Sequence, residues 1–245
     1  MTPARYVEHV MGLPISLALR GRHAGDARGR DAWAAALAVL READRVFSTY
    51  SADSVISRLG RGELDIAACP PEVAEVLALG AAAEHDSGGA FAVHRSGALD
   101  PSGVVKGWAA ERAAAHLAGL PDTDFCLSAG GDITCRTLDP DAAPWRIGIE
   151  DPRDPRGLVA VVPLHTGAVA TSGTARRGAH IVDARTGRPP DGVASVTVVG
   201  DSLTAVDIDA TAAFALGPDG ERWLAGRGHR SVLVVPSQTV AGMCT

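Results

Sequence analysis

The chain has 245 residues, of which 46% are apolar and 4% aromatic, and a net charge of −6. A substantial core is therefore available, built mainly from Ala, Val and Leu because aromatic side chains are scarce. The acidic balance and the lack of a long basic run argue against nucleic acid and anionic membranes as main partners, and leave a soluble enzyme or binding domain as the expectation.

The N-terminal stretch MTPARYVEHVMGLPISLALRGR holds no unbroken apolar run of signal-peptide length, because Glu8 and His9 interrupt it. No segment approaches the roughly 18 apolar residues of a membrane span, so a cytoplasmic chain is expected. YVEHV and ISLAL flank Met11-Gly12-Leu13-Pro14 and read as two short strands or one bent strand. Asp31 is placed to cap a helix over AWAAALAVLREADRVF, with Trp33, Leu37, Leu40 and Val46 along one stripe. FSTYSADSVISRLGRGE reads as a loop followed by a short helix over 53–60. Pro70-Pro71 opens a helix over EVAEVLALGAAAEHDS, Gly88-Gly89 stops it, and AFAVH reads as a strand. A fourth helix over 106–117 ends at Gly119 and Pro121. Strands are then expected at FCLSA, ITCRT, WRIGIE, LVAVVPL, AVATS, AHIVD and ASVTVV, followed by helices over 204–216 and 218–225 and a last strand, SVLVVP. Closely spaced strands without intervening helices argue for an antiparallel sheet, hence an α+β fold. No repeat, low-complexity linker or shift in composition divides the chain, so one domain over 1–245 is expected.

The most informative stretch is SLTAVDIDATAAFALG, over 202–217. Asp207 and Thr211 are one helical turn apart, so a helix places both side chains on one face, where they can offer two oxygens to a hard cation. A second reading is a capping box, Thr204-x-x-Asp207, in which the carboxylate only satisfies backbone N–H groups. LDPSGVVKGWAAERAAAHL puts small residues and Lys106 at a helix start, a natural anion site that equally suits an ordinary turn with a solvated lysine. LSAGGDITCR joins two strands through Gly130-Gly131-Asp132, and the paired glycines suit either close approach to a ligand or a hairpin turn. In ATSGTARRGAHIVDARTGRPP, Thr171, Ser172 and Gly173 offer donors to phosphate oxygens, and Arg176 and Arg177 add charge. His180 sits beside apolar Ile181 and Val182, on an expected strand, as a proton carrier or as a histidine at the edge of the core. The remaining histidines lack ligand spacing, Cys69, Cys126, Cys135 and Cys244 form no C-x-x-C pair, and no G-x-S-x-G elbow occurs. These absences argue against a zinc site, a disulfide framework and that type of serine hydrolase.

Taken in this order, the motifs resemble the ApbE family of FAD:protein FMN transferases. The resemblance runs from Met11-Gly12 to about Val235 and rests on FSTYSADSVISRL, the D-x-x-x-x-x-K-G stretch from Asp100 to Gly107, AGGDI, WRIGIEDP, the TSG…HIVDARTGRP run and DIDAT. It implies a single α+β unit, related to the T-fold, with a central FAD cleft. It also implies binding of FAD and Mg²⁺, cleavage of the pyrophosphate, attachment of FMN through a phosphoester to a threonine of a target protein, and release of AMP. By position, Asp207 and Thr211 match the family's metal ligands, with the Gly103 carbonyl as the third. Met11, Tyr50, Ala90, Phe91, Ala92, Asp100, Lys106 and Val182 match positions that contact FAD, and Thr171 and Ser172 match hydroxyls near the pyrophosphate. His180 matches a histidine that assists proton transfer, so His180 and Asp207 are the candidates to take the acceptor's proton. The resemblance favours the metal over the cap for Asp207, whereas Asp209 points about 200° away around the helix.

The chain departs from the family pattern at Gly60, Ala92, His94, Leu13 and Val206, and the first three are expected on the FAD contact surface. The expected function is Mg²⁺-dependent FMN transfer. The alternatives are an FAD pyrophosphatase that gives FMN and AMP, and a flavin-binding protein without catalysis.

Overall fold

A computed structural model of the chain describes residues 3–237, apart from 96, 176, 177 and 179. The first two strands, β1 (Ala4–Val10) and β2 (Leu13–Gly21), form a hairpin closed by the pair Val10↔Leu13. Its two-residue turn, Met11-Gly12, has positive φ at both positions, 59° and 67°, which matches the twist of the flanking strands. Helix α1 (Ala27–Phe47) is capped by Asp26, whose side chain accepts from the Gly29 N–H, and not by Asp31, which is exposed inside the helix. Sequence reading starts this helix too late because its first turn, ARGR, carries no apolar periodicity.

Helices α2 (Val55–Gly60) and α3 (Pro71–Asp86) follow, the first capped by Ser54 and the second opened by Pro71. The strand expected at AFAVH shrinks to a two-residue ladder, β3 (His94–Arg95) with β4 (Ala98–Leu99). Helix α4 (Ser102–Ala118) begins one turn earlier than its apolar pattern suggests. Strands β5 (Thr123–Ala129), β6 (Asp132–Arg136), β7 (Trp145–Asp151), β8 (Asp154–Leu164), β9 (Gly167–Gly173) and β10 (Val193–Gly200) occupy the expected segments. No strand forms at AHIVD among the described residues; an isolated bridge, Asp183↔Arg188, is all the pairing there. Helices α5 (Leu203–Ala215) and α6 (Gly220–Leu224) and strand β11 (Ser231–Pro236) complete the chain.

The main sheet has the order β1-β2-β5-β6-β9-β10-β11, and every neighbouring pair is antiparallel. Side chains alternate across it, as strand geometry requires. Ile15, Leu17, Phe125, Leu127, Ala168, Ala170, Val196 and Val198 join α1, α4 and α5 in the larger core. On the opposite face Cys135, Val169 and Val199 meet Ile147, Ile149 and Leu164 of the β7–β8 hairpin. Strand β10 is buried at all eight positions because both faces are covered. Helix α5 is buried nearly all round, as expected of a helix set between the sheet and a second helix. Among the described residues, no helix is long and apolar enough to cross a membrane.

Candidate functional site

A cavity of about 1160 Å³ opens where the β5–β6 turn, the end of β9 and the first turn of α4 come together. It exceeds the ~300–1,000 Å³ typical of pockets for drug-sized ligands. Its walls are apolar on one side, with Phe91, Ile147 and Ile149, and polar on the other, with Lys106, Asp132, Thr171, Ser172, Asp207 and Thr211. Tyr50 stands fully exposed at its margin.

The polar side is built where α4 meets α5. A Cβ on Gly107 would lie 2.8 Å from both the Asp207 Cβ and the Leu203 carbonyl, so only glycine lets the two helices approach this closely. The Gly107 N–H donates to Asp207 Oδ2 at 2.9 Å. In a regular helix that N–H serves the carbonyl of residue 103, so Asp207 shares the donor of the Gly103 carbonyl. Asp207 is therefore not a cap; Ser202 caps α5 by accepting from the Ala205 N–H. The two helices are tied a second time by Glu111 of α4, whose carboxylate accepts from the Leu203 and Thr204 N–H groups and the Ser202 and Thr204 hydroxyls. One turn beyond Asp207, the Thr211 hydroxyl lies 3.0 Å from that of Ser172 on β9.

Lys106 stands between two buried carboxylates. Its ammonium is 3.1 Å from Asp207 Oδ1 and is hydrogen-bonded to Asp132 Oδ2. Burial pushes the Asp207 carboxyl up, outweighing the nearby ammonium. Burial alone would pull the lysine down, but the two carboxylates reverse this and hold it above the ordinary lysine range. Asp132 also has a structural partner: its Oδ1 accepts the Thr171 N–H at 2.9 Å. The β6–β9 ladder stops at Ile133↔Val169, so this carboxylate stands in for the next strand partner of β9 and leaves the gap through which the cavity passes. Ser195 Oγ, which also lines the cavity, is buried with no hydrogen-bond partner among the described residues.

A model of the ApbE family matches residues 11–95 and 92–234. The chain belongs to the ApbE family. Among curated relatives, the FAD:protein FMN transferase of Vibrio cholerae is 33% identical over 147 residues, which is 56% of this chain and 44% of that protein. The FAD:protein FMN transferase of Rhodobacter capsulatus is 38% identical over 145 residues, 55% of this chain and 27% of that protein. These matches thus span less than half the length of either relative. Two solved structures share the fold: the ApbE protein of Thermotoga maritima, with a TM-score of 0.84 at 21% identity, and flavin transferase ApbE from Vibrio cholerae, with 0.81 at 22%. Each comparison covers 96% of this chain and 94% of the other.

The positions singled out by the ApbE motifs converge on the one cavity. Met11, Tyr50, Ala90, Phe91, Ala92 and Asp100 line it, as do Gly103, Lys106, Thr171, Ser172, His180, Val182, Asp207 and Thr211. His180 lies on a loop, not a strand; its backbone N–H donates to the Gly178 carbonyl at 2.9 Å, and its Nδ1 lies 3.1 Å from the same oxygen. Arg176 and Arg177 lie outside the described residues. Of the departures from the ApbE pattern, Leu13 and Ala92 line the cavity, whereas Gly60 and His94 do not. Gly60 instead packs near Leu99, which a Cβ there would approach to 3.2 Å. Asp132 and Gly107 fall within the AGGDI and K-G motifs but receive no role from the sequence, and Glu111 and Ser195 are not singled out there at all. For Asp132 a signal exists, a charge at an inward position just after a Gly-Gly turn, but its partners are remote in the chain.

The donors suit a hard cation. Among the described residues no group of three or more His, Cys, Asp or Glu side chains is arranged for a metal, so any ion here must also draw on hydroxyl and carbonyl oxygens. Asp207, Thr211 and the Gly103 carbonyl supply one of each kind. Thr211 Cγ2 lies 3.8 Å from where a Gly103 Cβ would be, which brings the first turn of α4 against the same face of α5. All-oxygen sets with few protein ligands are what Mg²⁺ accepts, since it keeps several waters.

Proposed function

We propose that the protein transfers FMN from FAD to a threonine of a target protein in a Mg²⁺-dependent reaction that releases AMP. The observation that carries this reading is the convergence of Asp207, Thr211, Gly103 and Lys106 with Thr171, Ser172 and His180 around one cavity. Curated relatives with this activity support it.

In this reading Thr171, Ser172 and Lys106 hold the pyrophosphate, and Met11, Tyr50, Phe91 and Val182 hold the rest of FAD, with Ala90, Ala92 and Asp100 completing the wall. Asp207, Thr211 and the Gly103 carbonyl would hold Mg²⁺, which would supply charge neutralisation at the pyrophosphate and polarisation of the phosphorus under attack. The acceptor threonine's Oγ forms a bond to the FMN phosphorus, and the bond from that phosphorus to the bridging oxygen breaks. AMP leaves with the bridging oxygen. A threonine hydroxyl is a weak nucleophile and needs a base. His180 takes its proton, because Asp207 is committed to the metal and to Gly107.

Incubation with FAD, Mg²⁺ and candidate flavoprotein targets is expected to give a covalent fluorescent adduct and an equal amount of AMP, both lost on chelation of the metal. AMP and free FMN without an adduct would mark the pyrophosphatase instead. FAD binding without AMP would mark a binding protein and overturn the transferase reading.

A further inference from the structure

Lys106 and a divalent cation claim the same oxygen. Lys106 lies 3.1 Å from Asp207 Oδ1, while Asp207 Oδ2 is taken by the Gly107 N–H. Two cations cannot share one carboxylate oxygen at that range without strong repulsion in a buried site. The lysine therefore needs somewhere else to put its charge. Asp132 supplies it. Its Oδ2 already bonds the ammonium, and its Oδ1 is pinned by the Thr171 N–H at 2.9 Å. Its side chain is 3% exposed, against 26% for Lys106. The carboxylate is thus the fixed member of the pair and the lysine the movable one.

We propose that Lys106 holds Asp207 while the site lacks metal, that a divalent cation displaces it, and that Asp132 is the positioning residue that receives the displaced ammonium. This rests on the reading of Asp207 as a metal ligand. It goes further, because it gives Asp132 a task and couples metal to substrate. With two carboxylates and one ammonium the cluster carries a formal charge of −1, which opposes a pyrophosphate. A bound divalent ion turns it to +1, with the lysine retained on Asp132. Metal and dinucleotide then favour each other's binding, and by linkage the effect is reciprocal.

The test is a double-mutant cycle read as Mg²⁺ affinity by calorimetry on the full chain, with and without FAD. Asp132→Asn keeps an acceptor for Thr171 but leaves Lys106 with Asp207 alone, so Mg²⁺ is expected to bind at least tenfold more weakly. Lys106→Met removes the competitor, and Mg²⁺ is expected to bind at least tenfold more tightly. Charge effects alone give Asp132→Asn the same penalty in both backgrounds. Exchange makes that penalty several-fold smaller once Lys106 is gone. An equal or larger penalty in the Lys106→Met background overturns the proposal.

Lys106→Met leaves two carboxylates facing each other, so a second measurement uses the wild-type chain. The Lys106 Nζ resonance is expected to shift in step with Mg²⁺ occupancy and to stay protected from solvent exchange; a resonance unmoved at saturation overturns the exchange. Absence of Mg²⁺ binding to the wild type, alone or with FAD, removes the metal reading as well. Binding without coupling removes only this inference.

Discussion

Asp207 and Asp209 stand two residues apart on α5 and are 1% and 4% exposed. In sequence they look alike; in the fold they have opposite surroundings. Asp209 points away from the cavity, and its Oδ2 accepts from Arg227 Nε and pairs with His229 Nε2, both at 2.7 Å. Arg227 is held in turn by Asp86 at 3.2 Å. Asp209 thus sits in a closed network that joins α5 to the end of α3 and to the approach to β11. Asp207 faces a backbone N–H and a lysine already shared with Asp132. One carboxylate is matched by a guanidinium and an imidazole of its own, the other is left short of positive charge beside a cavity. A rotation of about 200° along one helix separates a structural ion pair from a candidate metal ligand.

Substituting each in turn separates the two. Asp207→Asn removes the charged metal donor and should lower FMN transfer by on the order of 10³-fold, the scale of losing one preorganised charge-stabilising group. Its unfolding midpoint in urea should not fall, because burial already opposes ionisation there. Asp209→Asn should do the reverse. Breaking one partner of a buried pair costs about 3–5 kcal/mol, and about 3 is expected because Arg227 keeps Asp86. Turnover per folded molecule should stay at the wild-type level. If the two variants behaved alike, the distinction between the two sides of α5 would be lost.

Glu111 sharpens the comparison because it supports both sides at once. Its carboxylate gathers the N–H groups and hydroxyls at the start of α5, where a negative charge is also favoured by the helix dipole. Glu111→Gln puts an amide donor among donors. A stability loss of about 1–2 kcal/mol is expected, comparable to the loss of a helix cap. Mg²⁺ affinity should fall with it, since Asp207 lies only one turn further along. A drop in denaturation midpoint with unchanged metal affinity would show that the two sides are positioned independently.

Much of this arrangement was legible beforehand, and the failures are instructive. Pro71 and the β-branched runs of β10 and β11 announce their elements, because helix starts and alternation act locally. Two expected strands, at 90–94 and 179–183, do not form as read among the described residues. Ala90, Phe91, Ile181 and Val182 are apolar because they wall the cavity, and a ligand wall and a strand face select the same residues. These segments meet each other instead, through the Ala184 N–H and the Ala90 carbonyl at 3.0 Å. Asp207 is legible in part: its one-turn spacing to Thr211 leaves cap and metal ligand both open, and the ApbE resemblance is what singles it out as a candidate ligand. Asp132 is not, because it acquires meaning only from Lys106 and Thr171, which other elements bring to it. The sequence points to Asp31 as the cap and misses Asp26, because the exposed first turn of α1 lacks the stripe that marks a helix.

The smallest expected effect lies on the cavity side, at Thr211. Among the described residues its hydroxyl pairs with the Ser172 hydroxyl, at 3.0 Å, and a neutral donor contributes far less to a divalent ion than a carboxylate does. Thr211→Val keeps the shape and removes the oxygen. Ser172 is 4% exposed and loses its partner, so the fold should lose about 1 kcal/mol, the cost of one buried hydrogen bond. Mg²⁺ affinity should fall by about tenfold, equivalent to ~1.4 kcal/mol, and Thr211→Ser should restore it. Were Val and Thr to bind Mg²⁺ equally while Asp207→Asn did not, the ion would rest on the carboxylate and the Gly103 carbonyl, and the hydroxyl would belong to the packing of α5 against β9.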